Sequence, residues 1–180
     1  MMTSRWIWAL IAIVLMPVLL AAAHMTPLLT PPAQAQTPRQ GSGLPLPRYV
    51  SLRAAEINLR TGPGVQYPIE WVYRRQHLPI EIIAEFRTWR KVRDWQGAQG
   101  WVHQGMLSGQ RYVIVTGALR TLRAEADVKS RPVAKLEKGV IVRLNNCPAV
   151  SAWCQVEAGK FKGWLRKVEF WGAYPNEVLR

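Results

Sequence analysis

The sequence predicts an all-β protein built from two small barrels, because one hairpin pattern occurs twice in the chain. In residues 89–107 the side chains alternate with the period of two that a half-exposed strand requires, on both sides of a glycine-bounded turn at 97–100. Residues 153–168 repeat the pattern, with tryptophans 11 residues apart instead of 12. We therefore expect two copies of one small β unit.

The motifs upstream of the hairpins repeat with the same period. Arg60 lies in "NLR" and Arg123 in "TLR", 63 residues apart, and Trp101 and Trp164 have the same separation. The chain of 180 residues then divides into a first unit at 48–115 and a second, degenerate copy at 116–175. Units this small are near the lower limit for a single core, so we expect them to pack against each other.

The N-terminal region has the layout of an export signal followed by a linker. Residues 1–35 hold a short basic start, an apolar run and the small-residue site "AQA", which predicts cleavage after Ala35 rather than at the earlier candidate, 21–23. An uncleaved signal anchor is the alternative, because about 18 apolar residues can span a bilayer. Residues 36–47 form a proline-rich linker. Both alternatives place the remaining chain outside the cytoplasm.

The charge is strongly basic, with 24 Lys and Arg against 11 Asp and Glu. Such a surface attracts anionic partners, which include nucleic acid, lipid headgroups and cell-wall polymers. The alternative is a dispersed charge that only keeps the protein soluble. The export signal argues against nucleic acid, and it limits membrane contact to the N-terminal segment if that segment is uncleaved.

A long loop interrupts the early strands of the first unit. Short extended segments at 49–52 and 56–59 precede Gly62, Pro63 and Gly64, whose conformations favour an excursion from the sheet. Strand character resumes at 69–73 and 78–86, and a segment at 112–115 closes the unit. The second unit lacks the Gly-Pro-Gly sequence, so we expect its early loop to have a different shape.

These motifs resemble those of the bacterial SH3-like domain, which has N-[VL]-R-x-G-P-[GS]-x-x-[YF], W-x-x-V and G-W-[VI]. The matching residues are Asn58, Leu59, Arg60, Gly62, Pro63, Gly64, Tyr67, Trp89, Val92, Gly100, Trp101 and Val102. The whole mature chain is similar to exported α-proteobacterial proteins with a degenerate second copy. The resemblance implies two tandem SH3-like barrels. His77 replaces the glycine that the family has before the middle strand.

The resemblance also implies a binding surface between the early loop and the hairpin tip. We place an aromatic strip with basic edges there, formed by Tyr67, Trp71, Tyr73, Arg93 and Trp95. Aromatic rings stack on sugar rings or peptide backbone, and arginine binds carboxylates. For Trp95, a core position and a ligand contact stay open.

The repeated tryptophans of the first unit have a simpler interpretation. Trp89 and Trp101 both have counterparts in the second hairpin. We interpret them as core residues.

The chain has two cysteines, Cys147 and Cys154, seven residues apart between two predicted strands. Outside the cytoplasm such a pair is oxidised, so we predict a disulfide. A zinc site or a catalytic thiol is the alternative, but zinc requires four ligands. His77 and His103 are the histidines of the mature chain. We therefore predict no catalytic residue, no metal, no cofactor and no enzymatic activity.

Two hypotheses for function follow from the resemblance. The first is a non-catalytic exported module of the cell envelope that binds peptidoglycan or its stem peptides. The alternative is a periplasmic interaction or scaffold module that binds a protein partner in the cleft between the barrels. A compact aromatic patch with Arg93 beside it favours a wall polymer, whereas an apolar face above about 400 Å² favours a protein.

Overall fold

The computed structural model of the protein describes residues 41–179. The expected signal at 1–35, its cleavage site and residues 36–40 of the expected linker lie outside the described residues. Within 41–179, no helix is long and apolar enough to cross a membrane.

The first unit is a seven-stranded antiparallel sheet with a short 3-10 helix, Gln104–Met106. Its strands are β1 (Arg48–Leu52), β2 (Ile57–Arg60), β3 (Ile69–Tyr73), β4 (Pro79–Phe86), β5 (Trp89–Arg93), β6 (Gln99–His103) and β7 (Leu107–Ser108). Their order along the sheet is β3-β2-β6-β5-β4-β1-β7, so one edge of β3 has no strand beside it in the described chain.

The second unit repeats this topology strand for strand, with a 3-10 helix at Lys167–Glu169. Its strands are β8 (Tyr112–Val115), β9 (Arg120–Arg123), β10 (Pro132–Leu136), β11 (Ile141–Asn146), β12 (Trp153–Ala158), β13 (Phe161–Arg166) and β14 (Phe170–Trp171). The order β10-β9-β13-β12-β11-β8-β14 matches that of the first unit. The prediction of an all-β fold with two tandem units is confirmed. The segment at 112–115 does not close the first unit as expected, because it is β8 and pairs with β11 and β14 in the second sheet.

Both predicted hairpins are present, as β5 with β6 and as β12 with β13. The glycine before the second tryptophan of each hairpin is required by a close approach of the neighbouring strand. A Cβ on Gly100 would lie 2.9 Å from the carbonyl oxygen of Arg60, and one on Gly163 would lie 2.5 Å from that of Arg123. The repeated Gly-Trp therefore allows β2 and β9 to pair with the hairpins.

Each unit has its own core, formed mainly by aliphatic side chains, and the repeated tryptophans are not part of it. On β5 and β6 the inward positions are taken by Val92 and Val102, both fully buried. Trp89 and Trp101 have the opposite parity and are half-buried on the outer face. The interpretation of these two tryptophans as core residues is therefore wrong.

The early loops of the two units share one backbone design, contrary to the expectation of different shapes. In the first loop the N–H of Thr61 donates to the carbonyl of Pro68, and in the second the N–H of Ala124 donates to the carbonyl of Arg131. The two donors are 63 residues apart in the sequence, and so are the two acceptors. The glycines of the first loop are not at positive φ, so other residues can adopt the same backbone.

At the start of the first loop, Gly62 is required because a side chain there would collide with a neighbouring ring, and not because of its backbone conformation. A Cβ on Gly62 would lie 2.3 Å from the ring of Tyr67. The second copy has Ser130 in place of Tyr67, and this smaller side chain leaves room for Glu125. The loop of the second unit therefore keeps its backbone without Gly-Pro-Gly, because Ser130 has replaced the bulky Tyr67 that packs over it.

His77 occupies a left-handed turn that favours glycine, with φ of 63°. Its N–H donates to the carbonyl of Leu52, as the N–H of Gly139 donates to Val115 in the second unit. A side chain in this conformation costs about 1–2 kcal/mol. The His77 ring stacks on Tyr112 at 4.3 Å, a contact with the second unit that glycine could not make.

The two units pack directly against each other. Ile114 of β8 belongs to the core of the first unit, and Ile141 and Trp171 pack against that core. The Tyr49 ring lies 4.9 Å from Trp171 and 4.6 Å from Tyr174. The C-terminal aromatic residues therefore cover the first unit, and side chains fill this junction.

A buried carboxylate lies within the junction. Glu81 is 2 % exposed and accepts hydrogen bonds from Arg93 Nε at 2.9 Å and from the Tyr174 hydroxyl at 2.8 Å. Burial and the nearby Glu81 raise the pKa of Tyr174, so its hydroxyl keeps the proton that it donates. Glu81 thus connects β4, β5 and the C-terminal segment.

A second carboxylate fixes the end of the predicted linker to the first unit. Glu85 binds Arg48, Arg90 at 3.1 Å and the Ser42 hydroxyl at 2.8 Å. Burial alone raises the pKa of Glu85, but the hydrogen bonds from Arg48 and Ser42 outweigh burial and lower it to about 2.

Cys147 and Cys154 form a disulfide, which confirms that prediction. Both residues are fully buried in the core of the second unit. Cys147 also exchanges backbone hydrogen bonds with Leu179. The disulfide therefore fixes the connection from β11 to β12 and, through these bonds, the position of Leu179 near the end of the described chain.

The first testable prediction concerns this disulfide. Replacing Cys147 and Cys154 together by alanine should lower the free energy of unfolding by about 2–3 kcal/mol, because the unfolded chain loses a loop constraint. Urea unfolding checks this value. Reductant should bring the wild type to the level of the variant and leave the variant unchanged. Equal stability of oxidised wild type and variant would contradict the prediction.

The second prediction concerns the loss of stability at low pH. Folding lowers the pKa of Glu85 from 4.5 to about 2, so the stabilisation from its ionised form is complete above pH 4.5 and lost as the pH falls toward 2. Glu85→Gln should therefore destabilise the protein at pH 6 and have a much smaller effect at pH 2.5. Thermal unfolding at both pH values measures the difference. An effect of Glu85→Gln that stays constant with pH would contradict the role of its charge.

Candidate functional site

A groove of about 350 Å³ lies between the edge strand β3 and the turn that follows β5. We call it the aromatic groove. The side chains that define it are Trp71, Tyr73, Arg74, Arg75, Asp94 and Trp95.

Two indoles line the aromatic groove. Trp71 on β3 is 60 % exposed, which is unusual for so large an apolar side chain. Trp95 is half-buried and packs against the core of the first unit. The fixed indole of Trp95 and the exposed indole of Trp71 offer flat surfaces to a ligand.

Tyr73 and Asp94 form the floor of the groove and are hydrogen-bonded to each other. The Tyr73 hydroxyl donates to Asp94 at 3.1 Å, and Asp94 accepts two further bonds at 2.9 Å from the N–H groups of Gln96 and Ala98. Burial, together with the Asp94 carboxylate, raises the pKa of Tyr73, so the hydroxyl stays protonated. Asp94 thereby fixes the turn that carries Trp95.

Positive charges surround the groove. Arg75 donates to the carbonyl of Gly139 at 2.9 Å, and Lys138 lies over the Trp95 ring at 6.0 Å. Arg74 lies 3.8 Å from Glu56, and both side chains are well exposed. Because Lys138 and Gly139 belong to the second unit, the groove lies beside the junction and both units shape it.

The structure brings together three of the five predicted ligand-binding residues, Trp71, Tyr73 and Trp95. Tyr67 lines a separate groove with Trp89 and His103. Arg93 is ion-paired with Glu81, because the alternation of β5 directs it to the face opposite Asp94. The predicted strip is therefore divided among three places, and only its aromatic centre forms one surface.

The sequence interpretation missed Asp94, Arg75 and Lys138. Asp94 directly follows β5, and an aspartate shortly before a glycine is a typical start of a turn in which its side chain accepts backbone N–H groups. Arg75 and Lys138 are far apart in the sequence and meet the groove only through the packing of the two units.

The other chemical groups of interest have structural partners. His77 stacks on Tyr112, and His103 Nδ1 accepts the N–H of Gly105 at 3.2 Å. The two cysteines form the disulfide. In the part of the chain that the structure describes, no group of three His, Cys, Asp or Glu side chains could hold a metal ion.

Two stretches of the chain, residues 53–109 and 117–172, match the family model described as bacterial SH3 domain. Together they cover more than half of the chain, so the protein belongs to the bacterial SH3 domain family. This confirms the resemblance of the motifs to the bacterial SH3-like domain. Domains of this family are generally binding modules.

Two solved structures resemble the chain weakly, and both are from Trichomonas vaginalis. NlpC2 is 7% identical in sequence with a TM-score of 0.33, and the alignment covers 71% of this chain and 49% of the NlpC2 chain. NlpC1 is 9% identical in sequence with a TM-score of 0.33, and the alignment covers 73% of this chain and 48% of the NlpC1 chain. The chain thus spans about half the length of each. No curated protein matches the sequence.

Proposed function

We propose that the protein is an exported, non-catalytic binding protein of the cell envelope and that its aromatic groove binds peptidoglycan, at the sugar rings or the stem peptides. The observation that carries this proposal is the exposed Trp71 beside the fixed Trp95 and a positively charged rim.

The chemistry of the groove suits this polymer. Indole faces stack on the apolar faces of sugar rings and on peptide backbone. Arg74 and Arg75 lie where they can meet the carboxylates of stem peptides with charge-assisted hydrogen bonds. The volume, about 350 Å³, suits a sugar or a short peptide segment better than a protein face.

The location outside the cytoplasm has separate support. A buried disulfide is typical of oxidising compartments, and residues 1–35 have the layout of an export signal. Under this proposal cleavage follows Ala35 and the mature chain starts at Gln36; an uncleaved anchor would hold the same domains at the membrane.

A periplasmic protein partner is the second candidate. Strand β3 is at the edge of its sheet, and Ile69 and Trp71 on it are exposed. Such an edge can pair with an extended segment of another protein. The cleft between the barrels is filled by the packing of Tyr49, Trp171 and Tyr174, so the edge of β3 is the surface for such a partner.

The third prediction tests the groove by co-sedimentation of residues 36–180 with insoluble peptidoglycan at low and high salt. The wild type should pellet at both, because stacking is not screened by salt. Trp71→Ala should weaken binding by roughly tenfold through lost stacking. Trp71 is suited to this test because, unlike Trp95, it does not pack on the core.

Phe161→Ala is the matched control, since Phe161 is also an exposed aromatic residue on a strand but belongs to the second unit. It should pellet like the wild type. Equal losses in the two variants, or pelleting that high salt abolishes, would reduce the interaction to general attraction. No pelleting at either salt concentration would refute wall binding and favour the protein partner.

A further inference from the structure

The second unit has a polar groove of about 240 Å³ at the position where the first unit has a groove lined by Tyr67 and Trp89. We call it the arginine groove. Its principal side chains are Arg120, Thr121, Arg123, Trp153, Arg166 and Glu169.

The duplication shows that this groove and its counterpart in the first unit are equivalent. Val128, Trp153 and Arg166 occupy the places of Val65, Trp89 and His103. Arg120 corresponds to Ile57, which is a buried core residue in the first unit. Arg123 corresponds to Arg60, which makes the same kind of bond to the early loop. The guanidinium groups of Arg120 and Arg166 therefore distinguish the second copy, since the first copy has Ile57 and His103 at these positions.

The three arginines are fixed by the protein around them. Arg120 Nε donates to the carbonyl of Thr116 at 3.1 Å, and Arg123 Nη1 donates to that of Ser130 at 2.7 Å. Arg166 binds the Glu169 carboxylate at 2.9 Å. Each fixed guanidinium has five N–H donors, so donors remain for a ligand after these bonds.

The charge of the groove is not balanced by the residues that form it. Lys135 adds a fourth cation, with its ammonium 2.8 Å from the Thr121 hydroxyl. Glu169 is the carboxylate among the lining side chains, and Arg166 already binds it. Cations that share one groove repel one another, and a bound anion would relieve the repulsion.

We propose that the arginine groove binds a phosphate group, free or in a phospholipid headgroup. Planar guanidinium forks match the oxygens of phosphate, and the Thr121 hydroxyl supplies a further donor. A phosphate has more acceptor oxygens and more charge than a carboxylate, which suits a site with at least three cations. The site is distinct from the aromatic groove and independent of peptidoglycan binding.

The fourth prediction is tested by nuclear magnetic resonance. Inorganic phosphate added to residues 36–180 at constant ionic strength should cause saturable shifts of the Nε–H signals of the three arginines. Arg120→Gln should weaken the affinity about tenfold through lost charge-assisted bonds. Arg143→Gln makes the same charge change at an exposed position on β11 and should stay within about twofold of the wild type.

Three outcomes would overturn the proposal: shifts that do not saturate, equal weakening by the two variants, or acetate binding as tightly as phosphate. If Arg120→Gln disturbs the fold, Arg120→Lys replaces it and should bind more weakly than the wild type. Trp71→Ala should bind phosphate normally, so failure here is distinguishable from failure of wall binding.

Vesicles of phosphatidylglycerol distinguish the two sources of phosphate. Pelleting with vesicles that inorganic phosphate competes away would support the site and assign it to lipid headgroups. Saturable binding of inorganic phosphate without pelleting would support it and assign it to soluble phosphate.

Discussion

The buried carboxylate of Glu81 is the constraint on which the structure depends most. A charge removed from water is tolerated only when hydrogen bonds and an opposite charge surround it. Arg93 supplies the charge, and the Tyr174 hydroxyl supplies a bond from the end of the chain. Since Tyr174 also packs on Tyr49, satisfying this one carboxylate brings the C-terminal segment onto the first unit.

The packing of the two units has a consequence for the candidate site. Lys138 and the Gly139 carbonyl belong to the second unit, yet they contact Trp95 and Arg75 of the first. A first unit alone would lose this part of the rim. The tandem arrangement therefore shapes the aromatic groove, in addition to providing two copies of a fold.

The duplication also shows how one frame can carry two chemistries. The backbone bonds of the early loops and the close approach at Gly100 and Gly163 are the same in both units. Side chains on the outer face are under weaker packing constraints than those in the core, so His103 and Arg166 can differ without changing the sheet.

The sequence was sufficient for the features that follow from local rules. Period-two alternation and the Gly-Trp repeat predicted the hairpins, and the spacing of two cysteines, together with the predicted export signal, predicted the disulfide. The face occupied by the repeated tryptophans was not predictable in this way, because alternation shows which residues share a face but not which face is buried. Nor does it reveal the inter-unit contacts of Arg75 and Lys138.

Native-state hydrogen exchange tests whether the two units form one cooperative body through the Glu81 junction. We expect the amides of Val92 and Val156, in the two cores, to exchange with the same free energy of opening. In Glu81→Gln these values should separate, because the junction is weakened. Unequal values in the wild type, or equal values unaffected by Glu81→Gln, would show that this junction does not couple the two units.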